Sequence, residues 1–446
     1  IRQDSPEMNK TLSDGDRQKW TISWWMKVIP PSGYDLNIFK IWTNSTTKLN
    51  CRLVDGGAFS INGEISDSVG FNLITNAVYR DPSAWYHFVF AVDTTQGTEA
   101  NRMKLYVNGS QVTSFATETY PDQNYNCGIN VASDVFYWGV AQNSSNFFDG
   151  YFAEVVFIDG TQYAASDFGE YDEDSPTIWK PKDVSALTFG TNGFYLDFEA
   201  SGNLGNDANG GTDLGETNLA AADQATDTPT NNFCTMNPLD NFYQGHTFSE
   251  GNLKIVTQAN NTYTFSSGTI GVSSGKWYAE CKLAASGGYA DIGIADGVSS
   301  GKVDSLGGDS NEYAKHDFSS NVTAQGSGVA NGAALSVGNI CGVFVDLDNN
   351  KLYFSINGSL QNTTGIGITA AASTTNGNYF FCGGDEDGGS AVTLEWNFGG
   401  CSSFSLSSAV NDDNGYGNFE YTPTVTVEST ETKFYAVCTK NLAEYG

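Results

Sequence analysis

The sequence has few positively charged residues for its length. Its 446 residues include 21 Lys and Arg against 51 Asp and Glu, which gives a formal net charge of −30. Proteins bind phosphate backbones largely through Lys and Arg, which displace counterions from the nucleic acid. A surface this acidic repels nucleic acids and anionic membranes, so we expect no nucleic-acid partner.

Long apolar segments are also missing. The sequence has no run of about 18 apolar residues, so we expect no transmembrane helix and no membrane insertion. The chain begins at Ile1 with a polar segment rather than with Met. We therefore expect it to have been cut from a longer polypeptide.

The cysteines and histidines do not form metal-binding motifs. The eight cysteines show no CxxC spacing, and the three histidines, His87, His246 and His316, form no close pair. Because zinc and other transition-metal sites draw on such groupings, we predict no metal centre of this kind. We interpret the cysteines as small buried hydrophobic residues, with disulfides as the alternative that their even number allows.

Aromatic and turn-forming residues are abundant. Aromatics make up 13% of the sequence, and 50 glycines accompany many Asn, Asp, Ser and Thr residues. This composition suits short strands joined by tight turns better than helices, and residues 164–171 are the one segment with a short helical pattern. Since one core rarely serves more than about 300 residues, we predict an all-β chain with two domains.

An internal repeat indicates two modules of one design. An apolar strand ends at Asp93 in the first half and at Asp346 in the second, and in each half a Lys-Leu-Tyr strand then runs into Asn-Gly-Ser. Asn-Gly suits the two positive-φ positions of a type I′ turn. We predict one tight hairpin at Asn108 and Gly109 and another at Asn357 and Gly358.

Several strand sequences resemble known families. The first half resembles the concanavalin A-like, laminin-G-type lectin domain in TISWWMKV (21–28), AWYHFVFAVD (84–93), KLYVNG (104–109) and FDGYFAEVVFIDG (148–160). The second half resembles a SPRY domain in SGKWYAECKL (274–283), ADIGIAD (290–296), CGVFVDLDNNKLYFSING (341–358) and LEWNFG (394–399). The pairing, with TNGFYLDF (191–198) and DTPTNNF (227–233) at the join, resembles marine bacteriophage virion and tail-fibre proteins.

These resemblances imply two antiparallel jelly-roll (concanavalin A-like) β-sandwiches in tandem. We place the laminin-G-like sandwich at residues 1–199 and the SPRY-like sandwich at 233–401. Residues 200–232 are rich in Gly, Asn, Asp and Thr and have few large apolar side chains, so we interpret them as a connector. Alternating residues in 402–446 predict C-terminal strands or the start of a further module.

Two sequence patterns that resemble catalytic motifs lack the context that catalysis needs. A β-sandwich glycanase needs carboxylates on one face of a strand, but Asp291 and Asp296 are separated by an odd number of positions and would face opposite sides. The G-x-S-x-G pattern at Ser273 and at Ser299 has no helix after it, so neither serine is expected at a nucleophile elbow. We predict that the protein is not an enzyme and has no catalytic residues.

Carbohydrate sites in sandwiches combine aromatic rings with polar loop side chains. Candidate ligand-binding residues lie in loops where such residues adjoin: Trp42, Asn44, Tyr120, Tyr125, Asn126, Phe147, Phe148, Tyr313, Asp317, Asp385 and Asp387. We predict no required cofactor. The laminin-G resemblance implies calcium as the alternative, with Asp149, Asp385 and Asp387 as loop carboxylates, although their spacing selects none of them.

The resemblance implies adhesion outside the cell. We expect a virion-surface or tail-fibre protein that binds host-surface polysaccharide, neighbouring virion proteins or both, and that forms homo-oligomers whose repetition supplies avidity. The alternatives are a purely structural fibre or capsid decoration without glycan binding, and a polysaccharide-degrading enzyme.

Overall fold

The chain folds into β-sheets in both of its halves. The computed structural model describes residues 6–29, 31, 33–141, 147–241, 245–259, 263–297, 304–386 and 389–446. It divides into two compact units, residues 1–224 and 225–446. The predicted all-β fold of antiparallel sandwiches is confirmed, and the boundaries predicted at residues 199, 232 and 401 stay predictions.

The described part of the first unit contains sixteen strands. They are Glu7–Thr11 (β1), Lys19–Val28 (β2), Leu36–Asn44 (β3), Thr47–Leu53 (β4), Ala58–Ile65 (β5), Ser68–Val78 (β6), Tyr86–Asp93 (β7), Met103–Val107 (β8), Ser110–Gln111 (β9), Phe115–Thr119 (β10), Val135–Trp138 (β11), Gly150–Asp159 (β12), Gly169–Tyr171 (β13), Trp179–Pro181 (β14), Phe194–Leu196 (β15) and Gly215–Thr217 (β16). Short 3-10 turns occupy Glu99–Asn101, Ala165–Asp167 and Ala221–Asp223.

Two large sheets face each other in the first unit. One has the strand order β10-β6-β5-β4-β3-β11-β1-β16 and the other β15-β12-β2-β7-β8-β9. Alternation along β2 places Trp20, Trp24 and Met26 in the core between them, where the Trp24 ring stacks on Phe88 with centroids 5.4 Å apart. The opposite face of the second sheet is also buried, because a smaller apolar cluster that includes Phe168 packs against it.

The described part of the second unit contains twenty strands and one short helix. They are Met236–Asn241 (β17), Thr247–Ser249 (β18), Lys254–Val256 (β19), Thr264–Gly268 (β20), Lys276–Ala285 (β21), Ala290–Ala295 (β22), Glu312–His316 (β23), Asn321–Ala324 (β24), Ser327–Ala330 (β25), Ile340–Asp346 (β26), Lys351–Ile356 (β27), Ser359–Leu360 (β28), Ile366–Gly367 (β29), Phe380–Asp385 (β30), Thr393–Asn397 (β31), Val410–Asn411 (β32), Asn418–Phe419 (β33), Thr424–Val427 (β34), Thr430–Lys433 (β35), Tyr435–Ala436 (β36) and Thr439–Tyr445 (α1). A 3-10 turn occupies Ala371–Ser373.

Two large sheets also form the second unit, beside the two-stranded sheets β32-β33 and β34-β35. One has the order β17-β20-β30-β22-β23-β24-β25, and the other β18-β19-β31-β21-β26-β27-β28 with β29 beside β27. Trp277 and Trp396 from one sheet and Ile292 from the other meet in the core. The C-terminal strand β36 joins this unit through a parallel pairing with β21, and the helix α1 after it was not predicted from the sequence.

Both predicted Asn-Gly hairpins are confirmed. The φ angles are 47° and 79° at Asn108 and Gly109, and 47° and 77° at Asn357 and Gly358, as a type I′ turn requires. Each asparagine side chain also accepts a hydrogen bond from a backbone N–H near the start of the neighbouring strand, from His87 in β7 at 2.8 Å and from Ile340 in β26 at 2.9 Å. The two turns therefore repeat in detail.

A buried carboxylate ties the C-terminal segment to the second sandwich. Glu280 in β21 is buried and accepts hydrogen bonds from the backbone N–H groups of Glu420 and Tyr421, the Tyr278 hydroxyl and the Asn397 amide. Burial raises the pKa of Glu280 to about 7, and these hydrogen bonds oppose the rise. Residues 420–421 thus supply polar partners that a central strand of the sandwich needs.

The cysteines pack as the sequence analysis expects. Seven of the eight are buried and Cys401 is partly buried. Burial raises the pKa of Cys127 and of Cys341 to about 12, which keeps both thiols protonated near neutral pH.

Within the described residues, no helix is long and apolar enough to cross a membrane.

The Gly358 turn provides a test of backbone fit. An alanine Cβ at Gly358 would lie 2.6 Å from Cδ1 of Tyr421, whereas one at Gly377, where φ is 72°, would meet nothing within 4 Å. Both positions impose the cost of a positive φ, about 1–2 kcal/mol. We expect Gly358→Ala to lower the free energy of unfolding by at least about 1 kcal/mol more than Gly377→Ala in urea denaturation. Equal losses would contradict the packing of Tyr421 on this turn.

Glu280 provides a second test. A glutamine there would turn its NH₂ group toward two of the four donors, and each buried donor left without an acceptor costs about 1–3 kcal/mol. We expect Glu280→Gln to lower the free energy of unfolding by about 2–4 kcal/mol in urea denaturation. The control is Glu431→Gln, which makes the same change of charge on an exposed strand and should stay within about 0.5 kcal/mol of the parent. Similar losses of unfolding free energy in both variants would contradict the role of the Glu280 carboxylate as a buried hydrogen-bond acceptor.

Candidate functional site

Polar residues converge at one end of the seven-stranded sheet of the second unit. The strand β22 begins there at Ala290, while its neighbours β23 and β30 end there at His316 and Asp385. The register places Asp291 opposite His316 and Ala290 opposite Asp385. Residues that are far apart in sequence are therefore brought to the same edge by antiparallel pairing.

Asp291 and His316 form a buried pair on the face that points away from the core between the sheets. Ile292 and Ile294 of the same strand face that core, so alternation directs Asp291 to the other side. Asp291 has no exposed surface and His316 is 1% exposed. The Nδ1 atom of His316 lies 2.5 Å from Oδ1 of Asp291, and Nε2 lies 2.7 Å from the Thr323 hydroxyl.

Burying the Asp291 carboxylate beside His316 costs electrostatic free energy. Burial raises the pKa of Asp291, and contact with His316 opposes the rise, while the carboxylates of Asp317 and Asp304 add to it by repulsion. The second carboxylate oxygen of Asp291, Oδ2, is buried and has no hydrogen-bond partner. A buried acceptor in this state destabilises the fold unless another group satisfies it.

Glu386 completes a three-residue cluster with Asp291 and His316, which we call the carboxylate–histidine cluster. Glu386 follows β30, is partly buried, and donates its backbone N–H to the Tyr289 carbonyl at 2.7 Å. One potential ligand atom from each of the three residues lies within 4.8 Å of the others. Among the described residues it is the one group of three or more His, Cys, Asp or Glu side chains that meets this condition.

Two exposed aromatic rings lie beside this cluster. Tyr289 is 44% exposed and Phe318 is 46% exposed, and their ring centroids are 5.9 Å apart. The Phe318 ring also packs on His316, with centroids 4.5 Å apart. Among the described residues, Tyr171 is the one other exposed aromatic side chain, at 51%, and it belongs to the first unit. Tyr289 and Phe318, the aromatic pair, thus stand apart from the packed rings.

Two of the residues predicted from the sequence reach this site. Asp317 accepts hydrogen bonds from the Ala290 N–H at 2.9 Å and from the Ser286 hydroxyl at 2.5 Å, so it holds the loop before β22. Asp385 is buried and accepts a hydrogen bond from the Thr257 hydroxyl at 2.8 Å. Asp387 lies outside the described residues.

The predicted aromatic residues of both units include three that are buried. Phe147 and Phe148 have little exposed surface, and Phe148 stacks on Phe152 with centroids 3.9 Å apart. Tyr313 lies in the core of the second unit, where its hydroxyl accepts the Gln325 amide at 2.8 Å. The faces of these three rings are covered by protein.

The remaining predicted residues lie in loops and strand ends of the first unit. Trp42 is partly buried beneath the ammonium group of Lys40, and Asn44 accepts the N–H groups of a four-residue turn. Tyr120 donates a hydrogen bond to Glu118, and Tyr125 packs over Gly70. The Asn126 carboxamide oxygen accepts a hydrogen bond from Gln18. The contacts of these five residues hold local turns and loops.

A buried serine and histidine in the first unit have an arrangement that excludes nucleophilic catalysis. Trp179 can only donate through its indole N–H, and it does so to Nδ1 of His87 at 2.8 Å. The proton of the neutral ring is therefore on Nε2, which donates to the Ser23 hydroxyl at 2.8 Å. Since Nε2 already carries a proton, His87 cannot accept one from Ser23. In the second unit Ser273 is exposed and β21 follows it, as predicted, while Ser299 lies outside the described residues.

The calcium alternative stays a prediction, and two of the three loop carboxylates named for it are buried. Asp149 is buried and its backbone carbonyl accepts the Ile29 N–H, while Asp385 is held by Thr257. Neither belongs to the carboxylate–histidine cluster. That cluster was not predicted from the sequence, because Asp291, His316 and Glu386 are far apart along the chain. The strand register was the signal needed to find it.

Comparison with known families supports the fold of the first unit. Residues 6–165 match the family described as Laminin_G_3, concanavalin A-like lectin/glucanases superfamily. This match confirms the laminin-G resemblance that the strand sequences carry. A comparison with curated protein sequences finds no match.

Solved structures similar to parts of the chain include a SPRY domain and two others. The SPRY domain of human HERC1 is 12% identical, and the similarity covers 38% of this chain and 99% of that one with a TM-score of 0.30. A SAP-like pentraxin from Limulus polyphemus is 14% identical over 35% of this chain and 71% of that one, with a TM-score of 0.27. A putative carbohydrate-binding protein from Bacteroides ovatus is 14% identical over 48% of this chain and 56% of that one, with a TM-score of 0.31.

His87 should remain neutral well below the usual range of a histidine. Burial lowers its pKa to about 3, while the unfolded ring takes up a proton below about 6.5. The contribution of the neutral His87 ring to the free energy of unfolding is therefore complete above pH 6.5, and it is lost as the pH falls toward 3. In ¹⁵N NMR spectra of the three histidines, we expect the His87 ring to keep the pattern of the Nε2–H tautomer at pH 5. Titration near pH 6.5 would contradict the Trp179–His87–Ser23 arrangement.

Proposed function

We propose that this protein binds glycans without modifying them, and that the aromatic pair Tyr289 and Phe318 forms the binding surface. The observation that carries this proposal is the exposure of two adjoining rings beside a set of polar side chains. Aromatic faces stack on the apolar faces of sugars, and nearby carboxylates accept hydrogen bonds from sugar hydroxyls. Asp317 and Glu386 follow β23 and β30, the two strands that pair with β22 at this edge.

A non-enzymatic role is supported by the burial of Asp291. Glycoside hydrolysis generally needs two carboxyl groups that both reach the scissile bond. Asp291 and Glu386 are close together, but Asp291 has no exposed surface and contacts His316. A substrate on the aromatic pair would meet Glu386 and not Asp291. The family matched by residues 6–165 includes lectins in its description, which agrees with binding.

We further propose that the setting is extracellular, on a virion surface or tail fibre, with host-surface polysaccharide as the ligand. The support is the sequence resemblance at residues 191–198 and 227–233. The net charge of −30 agrees with a surface that avoids nucleic acid. Neighbouring virion proteins and further copies of the chain would be its other partners, and repetition would strengthen weak individual sites.

The test is a glycan array of bacterial and algal polysaccharides probed with the full chain and with Tyr289→Ala and Phe318→Ala variants. We expect each variant to bind the preferred glycan about tenfold more weakly, which corresponds to about 1.4 kcal/mol. Tyr171→Ala removes a tyrosine of similar exposure from the first unit and should bind like the parent.

Three outcomes would contradict the proposal. Silence of the full chain across the array, with tight binding to a virion protein, would support a purely structural role. Equal binding by the parent and both variants would move the site away from the aromatic pair. Release of reducing sugar that is abolished by Glu386→Gln would identify an enzyme.

A further inference from the structure

We propose that Asp291, His316 and Glu386 bind a divalent transition-metal ion of the zinc type. No such site is expected from the sequence, because the three histidines are scattered along the chain. The fold brings one of them, His316, close to two carboxylates. This proposal does not depend on glycan binding, since a metal could bind whether or not the aromatic pair holds a sugar.

The spacing of the three side chains suits one ion. Their potential ligand atoms lie within 4.8 Å of one another. Ligands at about 2.0–2.1 Å from a tetrahedral zinc ion are separated by about 3.4 Å, so small side-chain movements suffice. Asp291 and His316 lie on paired strands, and Glu386 directly follows the strand on the other side of β22. Ligands on adjacent strands are held more firmly than ligands on loops.

The unpartnered oxygen of Asp291 is an independent indication of a ligand. Oδ2 is buried without a hydrogen-bond partner, and the whole residue has no exposed surface. A buried carboxylate oxygen in this state is more costly than an ordinary unsatisfied polar atom, because the group can carry a charge. A bound cation would satisfy this oxygen and offset the repulsion from Asp304 and Asp317.

Thr323 orients the histidine ring for coordination. Its hydroxyl lies 2.7 Å from Nε2 of His316 and can accept the Nε2 proton. With the proton on Nε2, the lone pair of Nδ1 is directed at the Asp291 carboxylate, as in metal sites where the second ring nitrogen donates to an outer partner. In this tautomer Nδ1 and Oδ1 of Asp291, 2.5 Å apart, are both acceptors, and a cation bound beside them would relieve their repulsion.

The donor set selects the class of metal. One imidazole nitrogen with two carboxylates is typical of zinc and related first-row ions, whereas calcium prefers six to eight oxygen ligands. Glu386 is partly exposed, which gives an ion a route to the buried pair. Water would fill the coordination positions that the protein leaves open.

The experiment uses the full chain after treatment with a chelator and contains no glycan, so its failure is distinct from a failure of glycan binding. Zinc chloride is titrated by calorimetry while ¹⁵N NMR follows the three histidine rings. We expect one zinc ion per chain, with a coordination shift at Nδ1 of His316 and no shift at His87 or His246. Cobalt(II) should give visible absorption bands of a nitrogen–oxygen site, and calcium should not compete at equal concentration.

Variants separate this site from general binding to an acidic surface. Glu386→Gln keeps the shape of a partly exposed side chain, and we expect it to weaken zinc binding at least tenfold while near-ultraviolet circular dichroism stays unchanged. Glu431→Gln makes the same change of charge on an exposed strand and should bind zinc like the parent. The proposal would be overturned by an unshifted His316 ring at saturating zinc, or by equal zinc affinity in both variants. An unshifted ring would identify the pair as one that shares a proton.

Discussion

The burial of both faces of the central strands is the constraint on which the rest of this structure depends. An antiparallel strand points alternate side chains to opposite sides, so one face of β2 and of β22 fills a core with large apolar groups. The other face is also covered, and the polar residues on it must find partners away from water. Ser23 meets His87 in the first unit and Asp291 meets His316 in the second. Both pairs follow from the same requirement.

The two pairs satisfy that requirement to different degrees. In the first unit, an indole donor and a hydroxyl acceptor use both nitrogens of the His87 ring, which leaves a neutral group with no remaining chemistry. In the second unit, His316 also has two partners, but Asp291 keeps one oxygen without any. A closed network stabilises a fold, whereas an incomplete one has capacity for a ligand. The position of the incomplete pair, beside two exposed rings, is why the candidate site lies in the second unit.

Local features were predictable from the sequence and long-range pairings were not. The Asn-Gly turns were found because four adjacent residues determine a type I′ hairpin. Asp317 and Asp385 were found because polar residues cluster in loops, although the reason they converge is the register of β22 with its neighbours. Composition could not tell that Tyr313 and Phe148 point inward, since a ring beside a polar loop can face either way. The pairing of Asp291 with His316 spans 25 residues and depends on which strands are neighbours. No motif records it.

The link from Glu280 to the amides of residues 420 and 421 has a consequence for synthesis of the chain. These groups are 140 and 141 residues apart, so the strand with the carboxylate leaves the ribosome long before its partners. Contacts this distant in sequence slow folding and prolong the time for which sheet edges are unprotected. During that interval the excess of negative charge keeps neighbouring nascent chains apart. The acidic composition thus protects the molecule while it is still incomplete.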